Sequence, residues 1–167
     1  MYIIGIDPGK NGAIAALNNG KIISLEKMPS TPQELIEYFR FLGFPKVLRK
    51  DELLETYILI EKVHSMPTDG VRSAFTFGRH IGQFDMLFAF LNIKYNEVPP
   101  REWQKHFILG KDPNESKYEY KKRIKDLASK KAPILKKNKI SLTNCDAYLI
   151  ALYGFELQKQ KGILLAV

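Results

Sequence analysis

Apolar positions along the chain fall into short runs and longer periodic stretches, and length sorts them into strands and helices. Residues 2–6 form an apolar, β-branched run too short for a helix, which reads as a buried strand. Residues 13–17 and 21–25 follow as two more strands, joined by the Asn18-Asn19-Gly20 hairpin signal. A helix is expected over about 32–42, then a strand over 57–61 that ends in a carboxylate. Between them, 43–55 holds Pro45 and alternating charges and reads as a surface connection. A long helix over 71–91, a short strand over 94–98 and a basic helical region over 116–130 come next. The apolar helix headed by Asp146 closes the chain, with Ser141, Thr143 and Asn144 as N-cap candidates. A strand meander followed by alternating strands and helices predicts an α/β fold, a mixed sheet with helices on its faces.

The long helix carries more apolar surface than one sheet needs. Ala74, Phe77, Ile81, Phe84, Phe88 and Leu91 make one stripe at helical spacing. Phe75, Met86 and Phe90, with the small Gly78 and Gly82, extend it round the cylinder. The excess predicts a second packing partner. A two-fold dimer, the commonest assembly, is the favoured one; complete burial inside one domain is the alternative.

Three acids stand out by where they sit. Asp7 ends the first strand and is followed at once by Pro8-Gly9, so the chain must turn there. Burying that carboxylate is costly unless it is paired or metal-bound, and Gly9 and Gly12 suggest close approach to the backbone. Glu61 ends another apolar strand, ahead of loop signals at Ser65-Met66-Pro67 and Asp69-Gly70. Each acid also has a purely structural reading: Asp7 starting a turn, Glu61 pairing with Lys62, Asp146 satisfying a helix dipole. For Asp146 alone that reading is the better one. Together, two acids from strand ends and one from a helix start favour an oxygen-ligand site for Mg²⁺ or Mn²⁺.

These residues carry a resemblance. Ile4-Gly5-Ile6-Asp7-Pro8-Gly9-Lys10, Leu59-Ile60-Glu61 and the run from Asp146 to Gly154 resemble the acidic motifs of RuvC-type Holliday junction resolvases. Residues 72–82 and 98–105 are similar to the bacteriophage branch of that family, and the likeness extends from the first residue to Gly154. It implies a ribonuclease-H-like five-stranded mixed sheet, a single nuclease domain over 1–167 and a homodimer. It also implies Mg²⁺-dependent nicking of four-way DNA junctions, with Mn²⁺ as substitute. Asp7, Glu61 and Asp146 would then be both catalytic and metal-holding, around two ions about 4 Å apart. In that scheme Asp7 bridges the ions and a metal-bound water attacks the phosphodiester in line. Lys10 or the basic block would stabilise charge gathering on the phosphate.

One position departs from the pattern. The family places a fourth acid or a histidine three residues before the last aspartate, where this chain has Thr143. Asn144 could supply a neutral oxygen ligand, or Thr143 could hold a metal-bound water. Either offsets less cation charge than an acid, so reduced activity, altered metal preference and lost catalysis all remain open.

Charge adds a partner. The formal charge is +8, which suits a polyanion without proving one. Its placement says more: Lys117, Lys121, Lys122, Arg123, Lys125, Lys130, Lys131, Lys136, Lys137 and Lys139 face only Glu119 and Asp126 over 117–139. A solvated helix face is the plain reading of such a block, but this one directly precedes the Asp146 helix. The expected DNA contacts are Lys10, Arg72, Phe75, Arg79, Arg101, Lys105, Lys117, Lys121 and Lys122. Phe75 would stack on an unpaired base, although an aromatic at this spacing is more often core; Trp103 is expected to anchor a turn in the core. Each phosphate neutralised on duplex DNA should add about −0.9 to the salt slope of binding.

The remaining features mostly exclude. A single Cys145 rules out an internal disulfide and a cysteine-based zinc site, and His64, His80 and His106 lack ligand spacing. No apolar run approaches a membrane span and no basic leader precedes the first strand, so a cytoplasmic protein of a bacterium or infected host is expected. Rival functions are an RNA-processing nuclease of the same fold and a junction-binding protein with weakened catalysis. Strand–Asp–x–Gly openings also occur in sugar-kinase and actin-like ATPases, but those need a second such domain that 167 residues can hardly hold.

Overall fold

A computed structural model describes residues 1–44, 56–62, 70–132 and 139–164. The expected connection over 45–55, the loop over 63–69 with His64, Lys136 and Lys137, and residues 165–167 lie outside the described residues. Strands β1 (Tyr2–Asp7), β2 (Ala13–Asn18) and β3 (Lys21–Lys27) form an antiparallel meander. Asn19 and Gly20 close its second turn with φ of 48° and 77°, the doubly left-handed geometry that an Asn-Gly pair favours. Helix α1 (Pro32–Phe41) starts where the Thr31 side chain accepts the Glu34 N–H. Strand β4 (Thr56–Glu61) then returns parallel to β1, and β5 (Asn96–Val98) lies parallel to β4. The sheet order is therefore β3-β2-β1-β4-β5, with β1 at its centre.

Helices α2 (Val71–Phe90), α3 (Pro100–His106), α4 (Lys117–Lys131) and α5 (Cys145–Leu164) complete the fold. Strand alternation divides the core into two. Ile3, Ala13, Ala15, Leu17 and Leu59 point to one face and pack under α3, α4 and α5. Ile4, Ile6, Ile14, Ala16, Ile58 and Ile60 point to the other, under α1 and α2. The predicted α/β mixed sheet of five strands is what the chain forms.

Three details differ from the sequence reading. Residues after Pro99 form helix α3 rather than a turn: Pro100 takes the first helical position, where its missing N–H costs nothing. Strand β5 begins at Asn96, two residues later than expected. The inward side of α2 is His80, Phe84, Leu87 and Phe88, while Phe77, Ile81 and Leu91 are only half-buried. Its core face is thus turned toward Leu87, and among the described residues the buried His80 Nδ1 has no hydrogen-bond partner.

Candidate metal and nuclease site

The site is built where two parallel strands end side by side. Ile6 pairs in register with Ile60, so Asp7 and Glu61, each next in chain, emerge together at the same edge of the sheet. The chain must leave that edge immediately, and Pro8-Gly9 turns it. Gly9 has φ of 120°, a conformation that favours glycine, and its Cα side faces Phe77 of α2. The N-terminal half of α2 therefore stands beside the Asp7 turn.

Helix α5 brings the third acid by lying directly on β1. A methyl group at Gly5 would meet the Ala147 carbonyl oxygen at 2.5 Å and the Ala151 Cα at 2.8 Å, so only glycine lets the helix seat this closely. Further along, Gly154 faces Leu59 and Ile3, and Phe155 covers Gly20. The helix thus runs antiparallel to β1, and its first turn holds Asp146 over the strand end that carries Asp7. Its N-terminus is closed by reciprocal bonds: the Ser141 hydroxyl accepts the Asn144 N–H (3.3 Å) and the Asn144 side-chain oxygen accepts the Ser141 N–H (2.7 Å). Ser141 is therefore the working cap among the three candidates. The Asn144 amide also donates to the Lys139 carbonyl.

Asp7 feels both other carboxylates, and Glu61 feels Asp146. Burial raises the Asp7 pKa well above the ordinary carboxylate value, Glu61 and Asp146 raise it further, and only Lys121 opposes. Burial likewise pushes Glu61 up to about 7, a hydrogen bond from Trp103 pulls it back, and Asp146 adds repulsion. Glu61 Oε1 accepts the indole N–H of Trp103 at 2.9 Å, and that ring is fully buried under the sheet. The Trp103 side chain fixes which way the carboxylate points. Asp146 is held by the ammonium of Lys121 and, at 3.5 Å, by the Cys145 thiol. Burial disfavours the charge on Lys121, but Asp146, by charge and hydrogen bond, leaves its pKa above the usual lysine value. Burial keeps Cys145 a thiol, its pKa pushed up to about 12.

Clustered carboxylates, two of them buried and raised in pKa, make a site that favours positive charge. Among the described residues no three His, Cys, Asp or Glu groups already close into a metal cage, and the Lys121 ammonium occupies Asp146 instead. The donor set nonetheless fits a hard divalent cation: all-oxygen, anionic, and presented by rigid elements.

The other predicted residues lie on the β1–β2 turn, on α2, α3 and α4, and before α5. Lys10 is exposed in the β1–β2 turn; Arg72, Phe75 and Arg79 are exposed on α2, with Phe75 73% accessible rather than in the core. Arg101 and Lys105 are exposed on α3, the helix whose Trp103 touches Glu61. Lys117 and Lys122 face solvent on α4, whereas Lys121 turns inward to the acids. Thr143 lies half-buried in the turn before α5, its N–H donating to the Ser141 hydroxyl at 3.3 Å. The sequence reading missed two contacts, Trp103 to Glu61 and Lys121 to Asp146. A signal for the second existed: Lys121 shares a helical face with Ile124 and Ala128, the buried side of α4. No local pattern pairs Trp103 with an acid far from it in sequence.

Neither a protein-family model nor a curated protein sequence matches the chain. Solved structures do. The chain is similar to RuvC of Thermus thermophilus in complex with a Holliday junction substrate, at TM-score 0.60 and 14% identity, covering 95% of this chain and 96% of that one. A second Thermus thermophilus RuvC structure aligns at TM-score 0.54 and 14% identity over 96% and 97%. The Fowlpox virus resolvase, solved with its substrate Holliday junction DNA, aligns at TM-score 0.52 and 17% identity over 93% and 99%. The fold is that of the RuvC-like resolvases.

Proposed function

We propose that this chain is a structure-selective endonuclease that resolves four-way and other branched DNA by metal-dependent phosphodiester hydrolysis, working as a single domain and as a homodimer. One observation carries the reading: within a resolvase fold, Asp7, Glu61 and Asp146 converge from β1, β4 and α5, where burial and the neighbouring carboxylates raise the pKa values of Asp7 and Glu61. The three acids would hold Mg²⁺, or Mn²⁺ in its place, with Thr143 near the position of the missing fourth acid. When bound, such ions activate water and offset charge developing on the scissile phosphate. The protein's part is positional. Gly5 seats Asp146 against β1, Trp103 orients Glu61, and Lys121, whose ammonium lies at Asp146, would be placed to meet a phosphate oxygen. Lys10, Arg72, Arg79, Arg101, Lys105, Lys117 and Lys122 would take the flanking phosphates, and the exposed Phe75 would stack at the branch point.

The dimer is supported by the outer side of α2, where Val71, Phe75, Met86 and Phe90 are all exposed. Nothing among the described residues lies within 4 Å of a methyl group placed on Gly78 or Gly82. That open, apolar, small-residue face suits a second copy.

The test is a labelled four-way junction incubated with EDTA, Mg²⁺ or Mn²⁺, beside linear duplex and structured RNA. Symmetric metal-dependent nicks, abolished in Asp7→Asn while junction binding persists, are the expected result. Cleavage of RNA in preference to junctions would overturn the substrate assignment. A second reading rests on Thr143 standing where an acid is expected: tight junction binding without cleavage in either metal would make the protein a binding module. In that case Thr143→Asp should restore nicking.

A further inference from the structure

Helices α1, α2 and α3 end in the same way, and the comparison isolates one residue. In each, an N–H just past the helix reaches back to a carbonyl five residues earlier: Phe44 to Phe39 (2.8 Å), Ile93 to Phe88 (2.9 Å) and Leu109 to Gln104 (2.8 Å). The residue at the bend is left-handed each time: Gly43 at φ 91°, Asn92 at 51° and Ile108 at 57°. Glycine and asparagine are the residues this cap takes; a β-branched residue there crowds its own backbone. Packing does not repay that strain, because Ile108 is 88% exposed. Folding alone gives no reason for isoleucine at this position.

Its surroundings supply one. Ile108 borders an open concavity of about 530 Å³ whose rim includes Lys122 and Lys130 of α4. Neither lysine has an ion pair among the described residues, whereas nearby Arg123 is held by Glu115 and Asp126 lies 4.0 Å from Lys125. Glu119, also on the rim, is engaged in the capping box with Ser116. The same helix carries Lys121 at the acids, and Lys130 lies nine steps further along α4, a rise of about 13 Å. The concavity lies on the side of α4 away from Lys121, so a DNA arm with a phosphate at the acids would have to pass over α4 to reach it. A single projecting apolar side chain between cations is poorly suited to a protein interface, whose buried centre is depleted of charge. It is well suited to DNA, where apolar wedges enter the minor groove while cations take the phosphates on either side.

We propose that Ile108 is such a wedge, packing into the minor groove of a DNA arm while Lys122 and Lys130 hold its backbone. The inference rests on the DNA-directed function above, and its test separates the two. In an Asp7→Asn background, Ile108→Gly should raise the melting temperature by about 2 °C, because glycine relaxes the cap. The same change should weaken junction binding about tenfold, the loss expected from one buried aliphatic contact, without altering the salt slope. Lys130→Ala should instead flatten that slope by about 0.9. A residue serving only the fold would not move stability and affinity in opposite directions. Unchanged DNA affinity in Ile108→Gly overturns the wedge, and if self-association falls instead, the residue contacts protein. Equal loss on junction and linear duplex keeps the wedge and counts against junction selectivity; no DNA binding by the parent overturns both.

Discussion

The two faces of the sheet are built to different standards. On the α5 side, helix and strand meet backbone to backbone at Gly5, and residues 147–151 of the helix are all buried. On the α2 side, the helix touches the sheet through Phe84, Leu87 and Phe88 and leaves Phe75, Met86 and Phe90 in solvent. The tight face delivers Asp146, one of the acids proposed to hold metal, where a small displacement would matter. The loose face delivers surface. Precision is concentrated where Asp146 must meet Asp7, and adaptability where another molecule is proposed to dock.

That contrast is most directly broken at Gly5. Gly5→Ala forces a methyl group against the Ala147 carbonyl and the Ala151 backbone, none of which can yield without moving α5. Denaturant unfolding should show a loss of about 3 kcal/mol, and cleavage should fall even at temperatures where the variant stays folded. Trp103→Phe comes next. It leaves the buried Glu61 carboxylate without its donor, and about 2 kcal/mol of stability should go with it. Since Trp103 pulls the Glu61 pKa down, the alkaline shift of the pH–cleavage profile in this variant separates a lost hydrogen bond from lost packing.

A pH series sharpens the same point without mutation. Glu61 titrates at about 7 when folded against 4.5 as its ordinary value, and Asp7 is shifted the same way. The folded protein therefore binds more protons than the unfolded chain between those values, and stability falls as pH rises through them. In EDTA the melting temperature should drop by about 5 °C from about pH 5 to about pH 8. Saturating Mg²⁺ should remove most of that drop. The smallest effect belongs to the loose face. Phe90→Ser should change monomer stability by less than about 0.5 kcal/mol, yet lower the dimer fraction seen by sedimentation; a large loss of stability would mean that α2 is core on both sides.

The sequence was most legible where run length and punctuation agree. The short apolar runs of β1 and β2, the Asn19-Gly20 turn and the acids at strand ends all emerge from local chemistry, and the fold followed from their order. Helix α3 was hidden because two prolines announce a turn as readily as a helix start. The turn of α2 toward Leu87 was hidden because apolar residues surround the helix, so periodicity could not choose the inward side. At the site, the three acids stood out, but their supports did not. Lys121 looked like one member of a basic surface, and its inward direction becomes readable only once Ile124 and Ala128 are seen as the buried face. The Trp103–Glu61 bond joins residues whose proximity arises only when β4, β5 and α3 assemble.

The seat of α5 on β1 has a consequence for which positions of this chain are free to vary. The spacing between Asp7 and Asp146 is gauged by main-chain atoms, a strand and a helix touching through the missing side chain of Gly5. Most other side chains in the two layers can be exchanged for different apolar residues without resetting that gauge. A chain built this way can exchange nearly all of its other core side chains while this geometry stands still, and its likeness in fold to the RuvC structure holds over 95% of the chain at 14% identity.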